Sequence, residues 1–200
     1  MFTSRGFKGR RPEGVDPTRV PPGQYVTATF PVLSAGPTPH VPLDTWSFTL
    51  RGSVTEEISL NWRQFRALPA ETFTTDIHCV TKWTKLDTRW TGVSLDVLLD
   101  QAQTTARFAS VFADGGYTTN LPLADLRGGK AWIVHEYDGA PLEAPHGGPA
   151  RLLVPHLYLW KSAKWVRGIE LREHDAPGFW ERYGYNNYGD PWLEQRYSGD

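Results

Sequence analysis

The sequence predicts an α+β domain of mixed sheets with short helices, and two observations carry that expectation. Short runs of alternating apolar and polar residues outnumber the stretches with helical spacing, and the helical stretches are brief turns set among the strand-like runs. With 40% hydrophobic and 22% charged residues in a chain of 200, the composition is that of a packed globular protein. A disordered, coiled-coil or collagen-like chain would depart from it.

Residues 1–45 are punctuated by Arg10-Arg11-Pro12, Pro21-Pro22-Gly23 and Gly36-Pro37-Thr38-Pro39 and read as an extended arm, not a domain. Residues 25–33 within it are too apolar to be left in water, so the arm is expected to lie across the body. The body, residues 46–200, opens with Trp46, Phe48 and Leu50 alternating as a half-buried strand that Gly52 ends. A second strand is expected around 54–60. Trp62, Phe65 and Leu68 share a helical face that Pro69 stops, and 73–80 reads as a strand running into His78-Cys79. Ser94 can cap a helix lined by Leu95, Leu98, Leu99 and Ala102. Strands follow at 108–113, before the turn Asp114-Gly115-Gly116, and at 131–137, before Asp138-Gly139. Two more are expected at 151–154 and 165–172. In the stretch 161–165, alternation would put Ala163 and Trp165 on one face and Ser162 and Lys164 on the other. The tail, 177–200, concentrates Phe179, Trp180, Tyr183, Tyr185, Tyr188, Trp192 and Tyr197, as a segment that wraps the core or roofs a pocket would.

Several function classes drop out. A net charge of −1 gives no field to gather nucleic acid or an anionic membrane surface. No run approaches the roughly 20 apolar residues of a membrane span. Arg10-Arg11 resembles a twin-arginine export pair, but Pro12-Glu13-Gly14-Val15-Asp16 follows where an apolar run is needed. The single cysteine, Cys79, rules out an internal disulfide framework and a zinc site with two cysteine ligands. A cytoplasmic protein is expected. His135-Glu136 lacks a second histidine at helical spacing, and neither a G-x-S-x-G elbow nor a G-x-G-x-x-G loop is present.

Two constellations remain. Cys79, flanked by His78 and followed by Lys82 and Lys85, is a nucleophile, a soft metal ligand or a small buried hydrophobe. His146-Gly147-Gly148-Pro149-Ala150-Arg151 and Lys161-Ser162-Ala163-Lys164-Trp165 combine glycines, which let backbone approach an anion, with cations suited to phosphate oxygens. By spacing alone they are equally a turn and a solvated basic face.

The runs Asp76-Ile77-His78-Cys79-Val80-Thr81, Trp90-Thr91-Gly92-Val93, His146 to Pro155 and Lys161 to Val166, in that order, resemble the molybdopterin-binding domain of the sulfite oxidase family. The resemblance covers the chain from about residue 46 and is closest to compact bacterial members with an aromatic tail. It implies a sulfite-oxidase-type fold and molybdenum-molybdopterin as cofactor, with Cys79 as the metal ligand. It further implies that His146, Arg151, Ser162, Ala163 and Lys164 bind the cofactor and that Tyr185, five residues after Trp180, is a catalytic pocket residue. The activity implied is a two-electron oxygen-atom transfer on a small-molecule substrate.

The departures are informative too. Sulfite-oxidising members carry an arginine five residues after the cysteine, where this chain has Thr84, and another in an N-terminal loop, where residues 30–34 have none. That argues against sulfite. With no haem domain, electrons must be exchanged with a separate electron-transfer partner. A non-catalytic molybdopterin-binding or interaction module of the same fold is the alternative, and cysteine-nucleophile catalysis with His78 or His146 as base is a third reading.

Overall fold

The computed structural model describes residues 14–200, so the Arg10-Arg11 reading and the start of the arm lie outside the described residues. After a single 3-10 turn at Pro17–Arg19, where the Asp16 carboxylate accepts from the Thr18 amide, the arm forms strand β1 (Tyr25–Val26). The body follows with β2 (Ser47–Gly52), β3 (Ile58–Asn61), α1 (Trp62–Arg66), β4 (Glu71–His78), β5 (Trp83–Ser94) and α2 (Leu95–Leu99). Then come β6 (Phe108–Ala113), β7 (Thr118–Pro122), β8 (Trp132–Tyr137), β9 (Ala140–Pro141), β10 (Arg151–Leu153), β11 (Val166–Arg172) and α3 (Phe179–Arg182).

The strands form two mixed sheets. One contains six strands centred on β5, which pairs with β4 along most of its length, in parallel with β1 at its start, and with β8 at its end; β8 in turn pairs with β9 and β10. The other runs β3-β2-β11-β6-β7, parallel only between β2 and β11. Alternation on β8 and β10 sends Ile133 and Leu152 into the large core, with Phe48, Leu50, Val111 and Ile169 of the other sheet. Val134 and Leu153 point the opposite way, into a smaller cluster with Ile77, Cys79, Trp83 and Trp90. The six-stranded sheet is thus covered on both faces, and Cys79 belongs to the face turned away from the main core. Gly92, where β5 shifts register against β8, is required for that covering: a Cβ there would meet the Val134 Cα at 2.6 Å.

Local chemistry explains the short helices. Asn61 and Gln64 form a reciprocal capping box on α1, and Ser94 caps α2 by accepting from the Asp96 amide. Some expectations need correcting. The second strand begins at Ile58 rather than 54, since residues 53–56 bend; β5 and β7 were not expected as strands at all. Residues 161–165 do not alternate as a strand. Leu159–Lys161 is a 3-10 turn and Trp165 lies at φ 51°, so the chain there curls into a loop. Among the described residues no helix is long and apolar enough to cross a membrane.

A hollow of about 440 Å³ lies beside α1 and β8 and holds none of the expected site residues; Trp62, Arg66, His135 and Glu136 are on its wall. Burial and the neighbouring Arg66 guanidinium hold His135 down from its ordinary 6.5 to about 4. The unfolded chain therefore binds a proton below pH 6.5 that the folded chain refuses. Of the stability present above pH 6.5, His135 alone is expected to withdraw up to about 3 kcal/mol as pH drops to about 4, and buried His78, held down to about 4 as well, adds to the loss in the same window. Denaturant unfolding across that window checks this, with His135→Gln expected to flatten the slope.

Candidate functional site

Cys79 occupies the first position of the β4–β5 connection. Its amide donates to the Trp83 carbonyl and its carbonyl accepts from the Lys82 amide, which closes a three-residue loop, Val80–Lys82. Lys82 takes the left-handed position of that loop at φ 74°, a place usually given to glycine. The thiol is buried at 7% exposure and its Sγ accepts from the Thr81 hydroxyl at 3.1 Å. Burial pushes the thiol up, while the Thr81 bonds and the charges of Arg151 and Lys164 pull the other way.

The sulfur faces a cleft of about 620 Å³. Of the residues expected in the site, Cys79, Arg151, Ser162, Ala163, Lys164 and Tyr185 all line it. Arg151 opens β10 on the same face as Leu153, and its guanidinium stands 5.9 Å over the Trp90 ring. It donates to the carbonyls of His146 and Ser162, both at 2.9 Å, tying together the two loops expected to form the cradle. Full burial lowers its pKa to about 10, which leaves it charged at neutral pH. Lys164 donates to the carbonyls of Pro145 and Leu33 at 2.7 and 2.8 Å and to the Ser34 hydroxyl at 3.0 Å; burial and Arg151 push it down to about 8. The Ser162 hydroxyl accepts from the Val154 amide. Gly147 makes this junction possible at φ 111°, with the Cβ atoms of Arg151 and Lys164 each 3.0 Å from where its own would be.

His146 stands apart. It does not line the cleft but stacks at 4.0 Å on Phe30, which does, and its Nδ1 is buried without a partner. Tyr185 enters from the tail, stacked on Trp180 at 4.9 Å and edge-on to Trp160 at 5.0 Å. Burial raises its pKa, as would a nearby Cys79 thiolate.

Sequence reasoning missed other parts of the wall. Tyr117, on the turn before β7, donates to the Trp160 carbonyl, and Phe30, Leu33, Pro37 and Pro39 bring the arm onto the cleft. The arm's apolar character was the available signal; nothing announced Tyr117. Lys161, placed by sequence within a basic cradle or on a solvated face, does neither. It is buried at 1% exposure on the opposite side of its turn, 2.6 Å from Glu181. His78 turns away from Cys79 to bond the buried Thr84 hydroxyl, and none of Lys82, Lys85 and Arg89 lines the cleft. His78 is therefore not placed to act as a base toward the thiol.

The donor set fits the implied cofactor. One soft sulfur donor, a buried and a half-buried cation and a serine hydroxyl converge on a cleft within the range of ligand pockets, about 300–1,000 Å³. The unpartnered His146 Nδ1 lies just behind its wall.

Comparison with known proteins agrees with the fold. Residues 35–180 match the model of the oxidoreductase molybdopterin-binding domain. The chain is 42% identical to the uncharacterized oxidoreductase YuiH of Bacillus subtilis (strain 168) over 91% of this chain and 93% of that protein. It is 26% identical to the protein-methionine-sulfoxide reductase catalytic subunit MsrP of Gluconobacter oxydans (strain 621H), over 72% of this chain but only about half, 52%, of that protein. Among solved structures, the sulfane dehydrogenase SoxCD of Paracoccus pantotrophus superposes with a TM-score of 0.64 over 70% of this chain and 41% of that one; at 18% identity it speaks for the fold.

Proposed function

The chain belongs to the oxidoreductase molybdopterin-binding domain family, and on that premise we propose that it binds molybdenum-molybdopterin through Cys79 and acts on a small neutral oxo-compound rather than an oxyanion. The single observation that carries the reading is the convergence of Cys79, Arg151, Lys164 and Tyr185 on one cleft. When bound, the cofactor supplies two-electron oxygen-atom transfer with water as the source or sink of oxygen.

The chain's own residues do the rest. Cys79 Sγ holds the metal, and the Thr81 hydroxyl restricts the orientations of that sulfur. Arg151, Lys164 and Ser162 hold the phosphate of the pterin by charge-assisted and neutral hydrogen bonds, with Ala163 backing them and His146 supporting the loop from behind. Tyr185 keeps its proton at neutral pH as a phenol of ordinary pKa 10 does, and burial pushes it further up, so its Oη orients an oxygen of the substrate as a hydrogen-bond donor. Phe30, Trp160, Trp165 and Trp180 exclude water from the opening.

Charge supports the neutral substrate. Among the described residues the charged groups on the wall are Asp114, Arg151 and Lys164. Asp114 accepts from Arg167 at 2.8 Å, and the two cations belong to the cofactor, so an oxyanion would enter without a partner. Electrons pass through a separate partner.

Loaded protein supplied with a reduced viologen dye should turn over simple sulfoxides or N-oxides about tenfold or more faster than it oxidises sulfite with ferricyanide. Faster sulfite oxidation would reverse the substrate reading, and no turnover by loaded protein would leave the non-catalytic module. Arg151→Ala is expected to speed loss of pterin by roughly 10- to 100-fold, measured as pterin retained after gel filtration.

A further inference from the structure

The loop that carries Cys79 is held from outside the region matched by the family model, which begins at residue 35 and ends at 180. Gln24, buried at 6% exposure on the arm, donates from Nε2 to the Cys79 carbonyl at 3.1 Å, and this contact is itself buried. The next residue, Tyr25, donates its amide to the Lys82 carbonyl at 2.8 Å. Two consecutive arm residues thus grip Cys79, which precedes the three-residue loop, and Lys82, which ends it. The grip is anchored on both sides. Downstream, β1 pairs with β5 at Trp83 and Thr84; upstream, the Arg19 guanidinium forks onto Asp76 with bonds of 2.9 and 2.6 Å. The tail closes over it: Arg196 Nη2 donates to the Pro22 carbonyl at 3.3 Å, while its guanidinium lies 5.4 Å over the Tyr158 ring.

A metal–sulfur bond is directional, and the direction of the Cys79 Cβ–Sγ bond follows from the loop backbone. Lys82 strains that loop by sitting at positive φ, where a non-glycine residue is disfavoured by about 1 kcal/mol or more. Without an outside hold, the loop has reason to relax. Resting on the reading of Cys79 as metal ligand, we infer that Gln24 is a positioning residue for the molybdenum site: its amide fixes the Cys79 backbone, and the arm and tail together form the clasp that keeps it there.

The test uses Gln24→Met, which keeps side-chain length and removes the donor, with Thr29→Ala on the same arm as a control away from the loop. In full-length chain from a host unable to make the pterin, iodoacetamide labelling of the single thiol is followed by mass. Gln24→Met is expected to raise the labelling rate by roughly tenfold, the factor carried by one buried hydrogen bond, with melting temperature within a few degrees of wild type. In loaded chain, the paramagnetic signal of partly reduced molybdenum is expected to broaden or shift in Gln24→Met and to remain unchanged in Thr29→Ala. Unchanged labelling and an unchanged spectrum in a Gln24→Met chain that holds molybdenum would overturn this inference alone. A wild-type chain without molybdenum, from a host that loads a relative, would overturn the Cys79 reading and the inference with it.

Discussion

Replacing Cys79 by serine is expected to leave the domain folded and to remove its activity. The side chain changes by one atom, the Thr81 hydroxyl can still find an oxygen partner, and the loop is held through the Cys79 backbone rather than its sulfur. Stability should therefore move by less than about 1 kcal/mol, as for other small near-isosteric changes. The chemistry has no such tolerance. A hydroxyl is a hard, protonated donor where the site offers a soft thiolate, and turnover should fall by more than the roughly 100-fold that even an outer-shell change reaches at a metal site. Turnover with a reduced dye by wild type and variant made in the same cofactor-supplying host, read beside the melting temperature, checks both halves. A variant that fails to fold would mean that the cysteine is structural.

The largest effect on stability is expected at Lys161. Its ammonium sits 2.6 Å from Glu181, both side chains at 1% exposure, and it also donates to the carbonyls of Asn120 and Asn187. Glu181 in turn accepts from the Trp160 indole and the Thr119 hydroxyl, and its second oxygen is buried without a partner. Lys161→Met leaves that carboxylate with no counter-charge, which destabilises by about 3–5 kcal/mol and lowers the melting temperature by on the order of 10 °C in a chain of this size. The double variant Lys161→Met with Glu181→Gln should recover a good part of the loss, since it removes the stranded charge as well. Because α3 carries both Glu181 and the cleft residue Trp180, the single variant should also loosen the roof over Tyr185.

The parts of the molecule that sequence revealed are those decided by local pattern. Alternation at Trp46, Phe48 and Leu50, and again at 108–113, marks strands whose faces differ in burial, and Ser94 marks its helix because a cap is a local bond. The long β5 escaped because Lys85, Asp87 and Arg89 interrupt its apolar positions, although Trp90 and Val93 lie deep in the two clusters. Strand β7 escaped for a related reason: Thr119 and Asn120 are buried polar residues, satisfied by Glu181, Asp175 and Asn187 some 55 to 67 residues away. Such partners leave no trace in spacing.

The candidate site divides in the same way. The cysteine at a strand end and the glycine-bearing basic runs stand out as residue types, and the structure gathers Cys79, Arg151, Ser162, Ala163, Lys164 and Tyr185 around one cleft. What their polar groups do there was not legible. Arg151 and Lys164 bond loop carbonyls, which organises the cradle before any ligand arrives, and Lys161, in the same basic run, serves a buried ion pair instead. Nor could spacing show that the arm adds a strand beside the cysteine loop, because a parallel pairing between residues 25 and 83 depends on the fold that brings them together.

The central claim is that this cleft holds a molybdenum-molybdopterin through one thiolate. The most direct measurement is elemental molybdenum together with pterin released on denaturation, made on full-length protein from a host that supplies the cofactor. Near one molybdenum and one pterin per chain is the expected result, with the metal falling to trace in Cys79→Ser. Neither metal nor pterin in the wild type, from a host that loads a relative in parallel, would contradict the claim.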